Sequence, residues 1–113
     1  MFPIWELLGI IVPTRTGRQM RVVGRDRLDI FCRRHADARP WLENWLADAE
    51  SAEWHNPDDI KRRYASASFL AANVVIFNVK GNRYRFEVQV AYKTGVIVVR
   101  WLGTHAEYTQ RMR

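Results

Sequence analysis

Apolar and polar positions follow their clearest pattern in the last third of the chain, where they predict three strands. Val74–Lys80 is a nearly continuous apolar run, which is typical of a central strand that is covered on both faces. Arg83–Tyr92 alternates between apolar and polar residues, and Val96–Leu102 is again mostly apolar. Because turn-forming residues at Gly81-Asn82 and Lys93–Gly95 separate these runs, we expect a three-stranded antiparallel meander.

The alternation in the second of these strands predicts a sheet with two different faces. The apolar positions of the strand are Tyr84, Phe86, Val88, Val90 and Tyr92. The polar positions are Arg83, Arg85, Glu87 and Gln89. We therefore expect helices to cover the apolar face and the basic face to be left open.

The first half of the chain predicts a short strand followed by helices. The strand is expected at Met20–Gly24, and an amphipathic helix is expected at Asp26–His35. A second helix, Pro40–Ala52, has proline in its first turn, where the missing N–H is not needed. Its apolar stripe consists of Trp41, Leu42, Trp45, Leu46 and Ala49. A third, short helix is expected after Asn56, which is a favourable N-cap residue.

This order of elements indicates one small α+β domain in residues 20–113. We expect the N-terminal strand and the helices to pack on one face of an antiparallel sheet that contains the C-terminal meander. Residues 1–19 are interpreted as an N-terminal extension that is poorly ordered or bound by a partner. Its apolar run, Ile4–Val12, is much shorter than the ~20 residues that span a bilayer, and it lacks the flanking features of a signal peptide.

Composition adds a strong preference for acidic partners. The 113 residues have a formal net charge of +6, and the pI is about 10.1. Such a charge favours nucleic acid, anionic lipid or an acidic protein, and charge alone does not choose among them.

Cysteine usage and motifs narrow the chemistry. The one cysteine, Cys32, cannot form an internal disulfide, which is compatible with a reducing cytoplasm. Cys32 and His35 have the spacing of half a metal site, but no second pair completes it, so we interpret Cys32 as a core residue. The sequence also has no Walker-type phosphate loop and no GxSxG motif, and we expect no metal and no other cofactor.

The second half of the chain carries the excess of positive charge. From residue 61 onward only Glu87 and Glu107 oppose the cations Lys61, Arg62, Arg63, Lys80, Arg83, Arg85, Lys93, Arg100, Arg111 and Arg113. These cations are either ordinary solvated charges or a surface that binds nucleic acid. We favour nucleic acid because the cations recur on one strand face and aromatic residues lie nearby. For the cations of the third helix, complementarity with the helix dipole is an equally good explanation.

One histidine stands out from the other two. His105 directly follows the last predicted strand, and an imidazole there is suited to exchanging protons with a ribose hydroxyl or a leaving oxygen. An ordinary solvated loop histidine is the alternative. Tyr108 either stacks on a base or packs the C-terminal tail. His35 and His55 lie in or beside the helices and are interpreted as structural.

Two stretches, RRYASASFLAANVVIFNVKGNRYR and VRWLGTHAEY, make the chain resemble the HigB family of type II toxins, a branch of the RelE-like toxins. The resemblance extends over about Met20–Tyr108. Thr109 stands where the family has an acidic residue.

The resemblance implies a RelE-like fold and a ribosome-dependent mRNA endonuclease that is inhibited by a HigA-like helix-turn-helix antitoxin and reaches operator DNA only through it. It also implies attack of the ribose 2′-OH on the adjacent phosphate without a metal. The catalytic residues it suggests are His105 for proton exchange and Lys80, Arg83 and Arg85 for stabilising charge. The resemblance also suggests that Tyr108 orients a base. Further candidate RNA-binding residues are Arg100, Lys61, Arg63 and Asn82. A non-catalytic RNA- or ribosome-binding module and an antitoxin-dependent corepressor are the alternative functions.

Overall fold

The structure of the chain is a computed structural model that describes residues 19–112. Almost all of the predicted N-terminal extension therefore lies outside the described residues. The strands are β1 (Arg21–Val23), β2 (Ser68–Leu70), β3 (Val74–Val79), β4 (Tyr84–Ala91) and β5 (Val96–Thr104). The α-helices are α1 (Arg25–Arg34), α2 (Arg39–Ser51), α3 (Pro57–Arg63) and α4 (His105–Arg111), and single 3₁₀ turns lie at Ala36–Ala38 and Ala71–Asn73.

The strands form a five-stranded sheet in the order β1-β5-β4-β3-β2. The predicted meander is confirmed: β4 pairs antiparallel with β3 on one side and with β5 on the other. The predicted α+β class is also confirmed. The sheet differs from the expected antiparallel one in that β1 pairs parallel to β5, with Arg21 opposite Val96. The edge strand β2 was not predicted, because its three residues are too few to show a strand pattern and they lie in a segment of mostly small residues.

The core lies between the sheet and α2. Trp45 of α2 is fully buried, and its ring packs edge-on against Phe86 at 4.6 Å and Phe77 at 5.6 Å between ring centroids. Cys32 is also buried in this core, which confirms that it is a packing residue. Asn56 caps α3 as expected, since its side chain accepts a hydrogen bond from the backbone N–H of Asp59 at 3.1 Å.

The C-terminal tail forms the helix α4, which the sequence analysis did not predict. The helix begins with a capping box, in which the Thr104 hydroxyl accepts from the N–H of Glu107 and the Glu107 carboxylate accepts from the N–H of Thr104. Its Arg111 donates to Glu87 at 2.7 Å and lies 4.9 Å above the Trp101 ring. Because Glu87 points away from the core face of β4, α4 lies on the face opposite to α2. The prediction that this face is open is wrong where α4 covers it.

The contact between α4 and the sheet gives a first testable prediction. The Glu87 side chain is only 11% exposed, so Arg111→Ala leaves a mostly buried carboxylate without its partner. We expect the free energy of unfolding to fall by about 1–3 kcal/mol, measured by urea denaturation. Arg111→Lys is the matched control: it keeps the charge but not the two-nitrogen contact, so its loss should be smaller. Equal losses in both variants would contradict this account of the contact.

None of the helices in the described part of the chain is both long and apolar enough to cross a membrane.

Candidate active site

One end of the sheet brings together residues from four separate segments. Lys80, Asn82 and Arg83 lie in the turn between β3 and β4. Tyr84 is opposite Thr104 in the strand register, so this turn lies beside the end of β5 and the start of α4. The backbone N–H of His105 donates to the carbonyl oxygen of Arg83 at 3.0 Å. The end of α1 and the following 3₁₀ turn complete the group, which we call the basic cluster: Arg34, His35, Asp37, Lys80, Arg83, Tyr84 and His105.

Asp37 joins the turn after β3 to the helical layer. Its carboxylate accepts a hydrogen bond from Arg83 Nη1 at 2.6 Å and another from the Tyr84 hydroxyl at 2.6 Å. The Tyr84 hydroxyl, and next Arg83, hold the pKa of Asp37 below its usual value. Arg83 was predicted to point away from the helices, but its position in the turn just before β4 lets it reach Asp37. The Arg83 side chain is still 66% exposed.

The lowered pKa of Asp37 predicts a pH-dependent stability. A group whose pKa is depressed by folding stabilises the folded state above its unfolded pKa of about 4, and this stabilisation is lost as the pH falls through the folded pKa. We therefore expect Asp37→Asn to lower the melting temperature at pH 7. The difference from wild type should narrow as the pH falls below about 4, as measured by thermal melts.

A control variant distinguishes Asp37 from a general effect of lost negative charge. Glu53 is exposed and forms no ion pair with any residue from 19 to 112, so Glu53→Gln should leave the melting temperature nearly unchanged. A difference for Asp37→Asn that stays constant down to pH 3 would refute the account.

Lys80 has an unusual backbone conformation for a lysine. Its φ of 53° lies in the left-handed region, which non-glycine residues occupy rarely. Its side chain is exposed and takes part in no ion pair within residues 19–112. The turn presents this exposed cation at the end of the sheet, near enough to Asp37 for its charge to help lower the pKa of that carboxyl.

His35 is a residue of the basic cluster that the sequence analysis left as structural. Its ring lies 5.1 Å from the ring of Tyr84 and 4.5 Å from that of Phe31, between centroids. The sequence separates His35 from the turn after β3 by about half the length of the domain. Only the packing of α1 against β4 and β5 brings them together, so no local pattern in the sequence signals this proximity.

Glu107 places a carboxylate on the α4 side of the basic cluster. The backbone N–H of Thr104 is the main cause of its lowered pKa, and the nearby charges of His35 and Arg34 act in the same direction. The same capping interactions fix the first turn of α4. His105 was expected in a loop, but it is the first residue of that helix and is exposed.

Three other predicted site residues lie outside the basic cluster as it is defined here. Arg85 is half-buried, and its Nη1 donates to the carbonyl of Tyr84 at 3.3 Å. Arg100 donates to the Gln89 side chain at 2.8 Å on the face of the sheet opposite to α2. Tyr108 packs beside Trp101, with 5.9 Å between ring centroids.

Two of the predicted RNA-binding cations belong to α3. Lys61 donates to the carbonyl of Ala67 at 2.9 Å, and Arg63 pairs with Asp48 at 2.7 Å. Helix α3 immediately precedes the edge strand β2, whereas the basic cluster lies around β4 and β5. The structure therefore does not bring these two cations together with the proposed catalytic residues.

Comparison with known families gives the class of the protein. Residues 38–111 match the profile of a family described as the RelE-like toxic component of a toxin-antitoxin system. Together with the helices and the five-stranded mixed sheet, this match defines a RelE-like toxin. The chain belongs to the HigB toxin family. A toxin of this kind has an antitoxin as its partner. A search among curated proteins found no match.

Proposed function

We propose that this toxin is an endoribonuclease that cleaves mRNA on the ribosome and so inhibits translation. The observation that carries the proposal is the basic cluster, in which exposed cations and two imidazoles converge from distant parts of the chain. Cleavage by a neighbouring ribose hydroxyl needs little more than positioning, charge stabilisation and proton transfer. The cations of the basic cluster are suited to positioning the RNA and stabilising negative charge, and its imidazoles are suited to transferring protons.

The proposed reaction is an internal phosphoryl transfer that needs no metal. The ribose 2′-oxygen forms a bond to the adjacent phosphorus while the bond from phosphorus to the 5′-oxygen breaks, which leaves a 2′,3′-cyclic phosphate and a 5′-hydroxyl. The 2′-OH loses a proton and the departing 5′-oxygen gains one. We assign one of these proton transfers to His105, because it is exposed beside Arg83 and histidine is the side chain that most often acts as a general acid or base.

Lys80 and Arg83 are proposed to stabilise the charge that develops on the phosphate. Lys80 is an exposed cation without an ion pair among residues 19–112. Arg83 uses Nη1 to hold Asp37, and a guanidinium has five N–H donors, so further donors remain for a phosphate oxygen. Asp37 then acts as the residue that positions Arg83. Arg85 adds positive charge from its half-buried site on β4.

RNA binding is proposed to extend beyond the basic cluster. Asn82 is exposed in the same turn as Arg83, and Tyr108 is half-exposed one helical turn after His105, where its ring is available to a base. Arg100 extends the positive surface along β5. Lys61 and Arg63 would contact the RNA or the ribosome at a distance from the cut. In the cell we place the toxin in the cytoplasm, with a HigA-like helix-turn-helix antitoxin that also carries it to operator DNA.

The proposal is tested by mapping the 5′ ends of cellular mRNA shortly after the toxin is induced. Cleavage creates new ends within reading frames, and these ends carry a 5′-hydroxyl. Inhibition of translation without new ends would instead identify a non-catalytic RNA- or ribosome-binding protein. A free toxin that neither cuts mRNA nor slows growth would favour a corepressor that acts only with its antitoxin.

A further inference from the structure

A cleft lies between α1 and a part of β5 that has no neighbouring strand, on this edge, among residues 19–112. β1 pairs with β5 only at Val96–Val98, although β5 continues to Thr104. The chain leaves the sheet at Gly24, whose φ of 96° is in the left-handed region. A Cβ at Gly24 would lie 3.0 Å from the Cβ of Val99, so the turn is tightly packed against β5. Beyond Val98, no strand in residues 19–112 covers this edge of β5.

The cleft has a volume of about 350 Å³ and combines apolar surface with positive charge. Ile30, Phe31 and Leu102 are among its apolar side chains, and Ile30 is 54% exposed. Its charged side chains are those of Arg27, Arg34 and Arg100, and none of the described residues that line it is acidic. The charge of the cleft is therefore complementary to a segment that carries carboxylates.

The free edge of β5 already accepts one hydrogen bond from a side chain. Arg27 Nη1 donates to the backbone carbonyl of Arg100 at 3.1 Å. A backbone carbonyl at a sheet edge is a site where another strand can pair, and here a guanidinium takes the place of that strand. An incoming strand would replace this bond with a backbone N–H and release Arg27 to pair with a carboxylate.

We propose that this cleft binds an extended, acidic segment of the antitoxin, which pairs with the free edge of β5 between Val99 and Leu102. Backbone pairing at an exposed edge supplies affinity, and alternate side chains of the added strand supply specificity. Apolar side chains of the segment would contact Ile30 and Leu102, and its carboxylates would pair with the arginines. The inference rests on the antitoxin partner that family membership implies, and it is independent of RNA cleavage.

The position of the cleft also explains how such a segment would inhibit the toxin. Arg34 lines the cleft and is close enough to Glu107, beside His105, to lower the pKa of that carboxyl. A bound acidic segment therefore ends next to the basic cluster. It would neutralise positive charge there and compete with the phosphates of an RNA.

The experiment compares two matched substitutions in the full chain. Ile30→Glu places a carboxylate in the cleft, and Leu70→Glu places one on β2 at the opposite edge of the sheet, where Leu70 is 46% exposed. Each purified variant is titrated with the purified antitoxin that is encoded beside the toxin gene, in the absence of RNA. We expect Ile30→Glu to raise the Kd by about tenfold or more, because it introduces like charge and removes an apolar contact, and Leu70→Glu to leave the Kd unchanged.

Other results of the titration would overturn the proposal. An unchanged Kd for Ile30→Glu, or an equal loss in both variants, would show that the cleft is not the docking site. Ribosome binding is measured in a separate assay, and weaker ribosome binding of Ile30→Glu together with unchanged antitoxin binding would assign the cleft to RNA instead. Because no RNA is present in the titration, a failure of the nuclease proposal does not affect its outcome.

Hydrogen–deuterium exchange of the wild-type chain tests the same surface without a substitution. Pairing with a strand protects backbone amides, so we expect slower exchange in Val99–Leu102 when the antitoxin is bound. Exchange that is equally fast in the free and bound toxin would rule out pairing along this edge.

Discussion

Replacing His105 by alanine is expected to slow mRNA cleavage by about 10²–10⁴-fold, the usual contribution of one positioned general acid or base. His105 is exposed at the start of α4, and its own backbone N–H holds it beside Arg83. That hydrogen bond uses the main chain, so alanine preserves it and removes only the imidazole. The capping box of Thr104 and Glu107 also remains, because neither partner is changed. The variant should therefore fold and bind the antitoxin normally while it loses activity.

The measurement is the rate at which new 5′ ends appear in mRNA on translating ribosomes. His55→Ala is the matched control: His55 is exposed just before α3 and takes part in the structure through its backbone N–H, which donates to Asp59 at 2.8 Å. This variant should cut at the wild-type rate. Full activity in His105→Ala would exclude His105 as the proton carrier and would direct attention to His35. Loss of antitoxin binding in the same variant would point to a folding defect instead.

Replacing Trp45 by alanine is expected to lower the free energy of unfolding by about 3–5 kcal/mol, the usual cost of truncating a buried large aromatic residue. Trp45 is 0% exposed and packs against two further buried rings, Phe77 and Phe86, which belong to the central strands β3 and β4. Removing the indole leaves a cavity at the place where α2 meets the sheet. Urea denaturation followed by circular dichroism measures the loss.

Two further substitutions show whether packing is the cause. Within residues 19–112 the indole N–H of Trp45 has no hydrogen-bond partner, so Trp45→Phe gives up packing volume but no hydrogen bond and should cost less than alanine. Trp41 is half-buried on the same helix, and its ring centroid lies 6.4 Å from that of Phe77. Trp41→Ala should also cost less than Trp45→Ala. If all three variants lost equal stability, the burial of Trp45 would not be the deciding factor.

Most of the fold was predictable, because the spacing of apolar residues along the chain differs between strands and helices. The alternating run in β4 and the apolar run in β3 predicted their strands to within a residue or two, and the stripe of α2 predicted the helix that covers them. Two elements, β2 and α4, were not predicted because their signals in the local sequence are weak. β2 has only three residues, and α4 begins with a capping box whose signal is weak beside the strong strand that precedes it.

The interruption in β5 shows a second kind of limit. Glu87 lies opposite Trp101 and Val88 lies opposite Val99, so Arg100 is an extra residue in the ladder. The bulge changes which residues face the core, and Leu102 packs against the core on the same side as Val99. An alternating pattern of apolar and polar residues in β5 cannot reveal this bulge, because the bulge depends on how β5 pairs with β4.

The candidate site was predictable in part. Lys80, Asn82, Arg83 and His105 were chosen from the sequence, and the structure brings them to the same end of the sheet. Their catalytic and RNA-binding roles stay predictions. His35 and Asp37 were not chosen, because no pattern in the sequence around them indicates that they lie close to the turn after β3.

The sequence by itself determined the α+β class, the meander, the buried face of α2 and the net positive charge. These features depend on residue type and on short-range periodicity, which are local properties of the sequence. Only the tertiary structure decided that α4 covers part of the basic face, that Asp37 holds Arg83, and that none of the strands described in residues 19–112 pairs with the edge of β5 beside α1. Each of these depends on contacts between residues far apart in the chain, and such contacts exist only once the core has fixed the helices against the sheet.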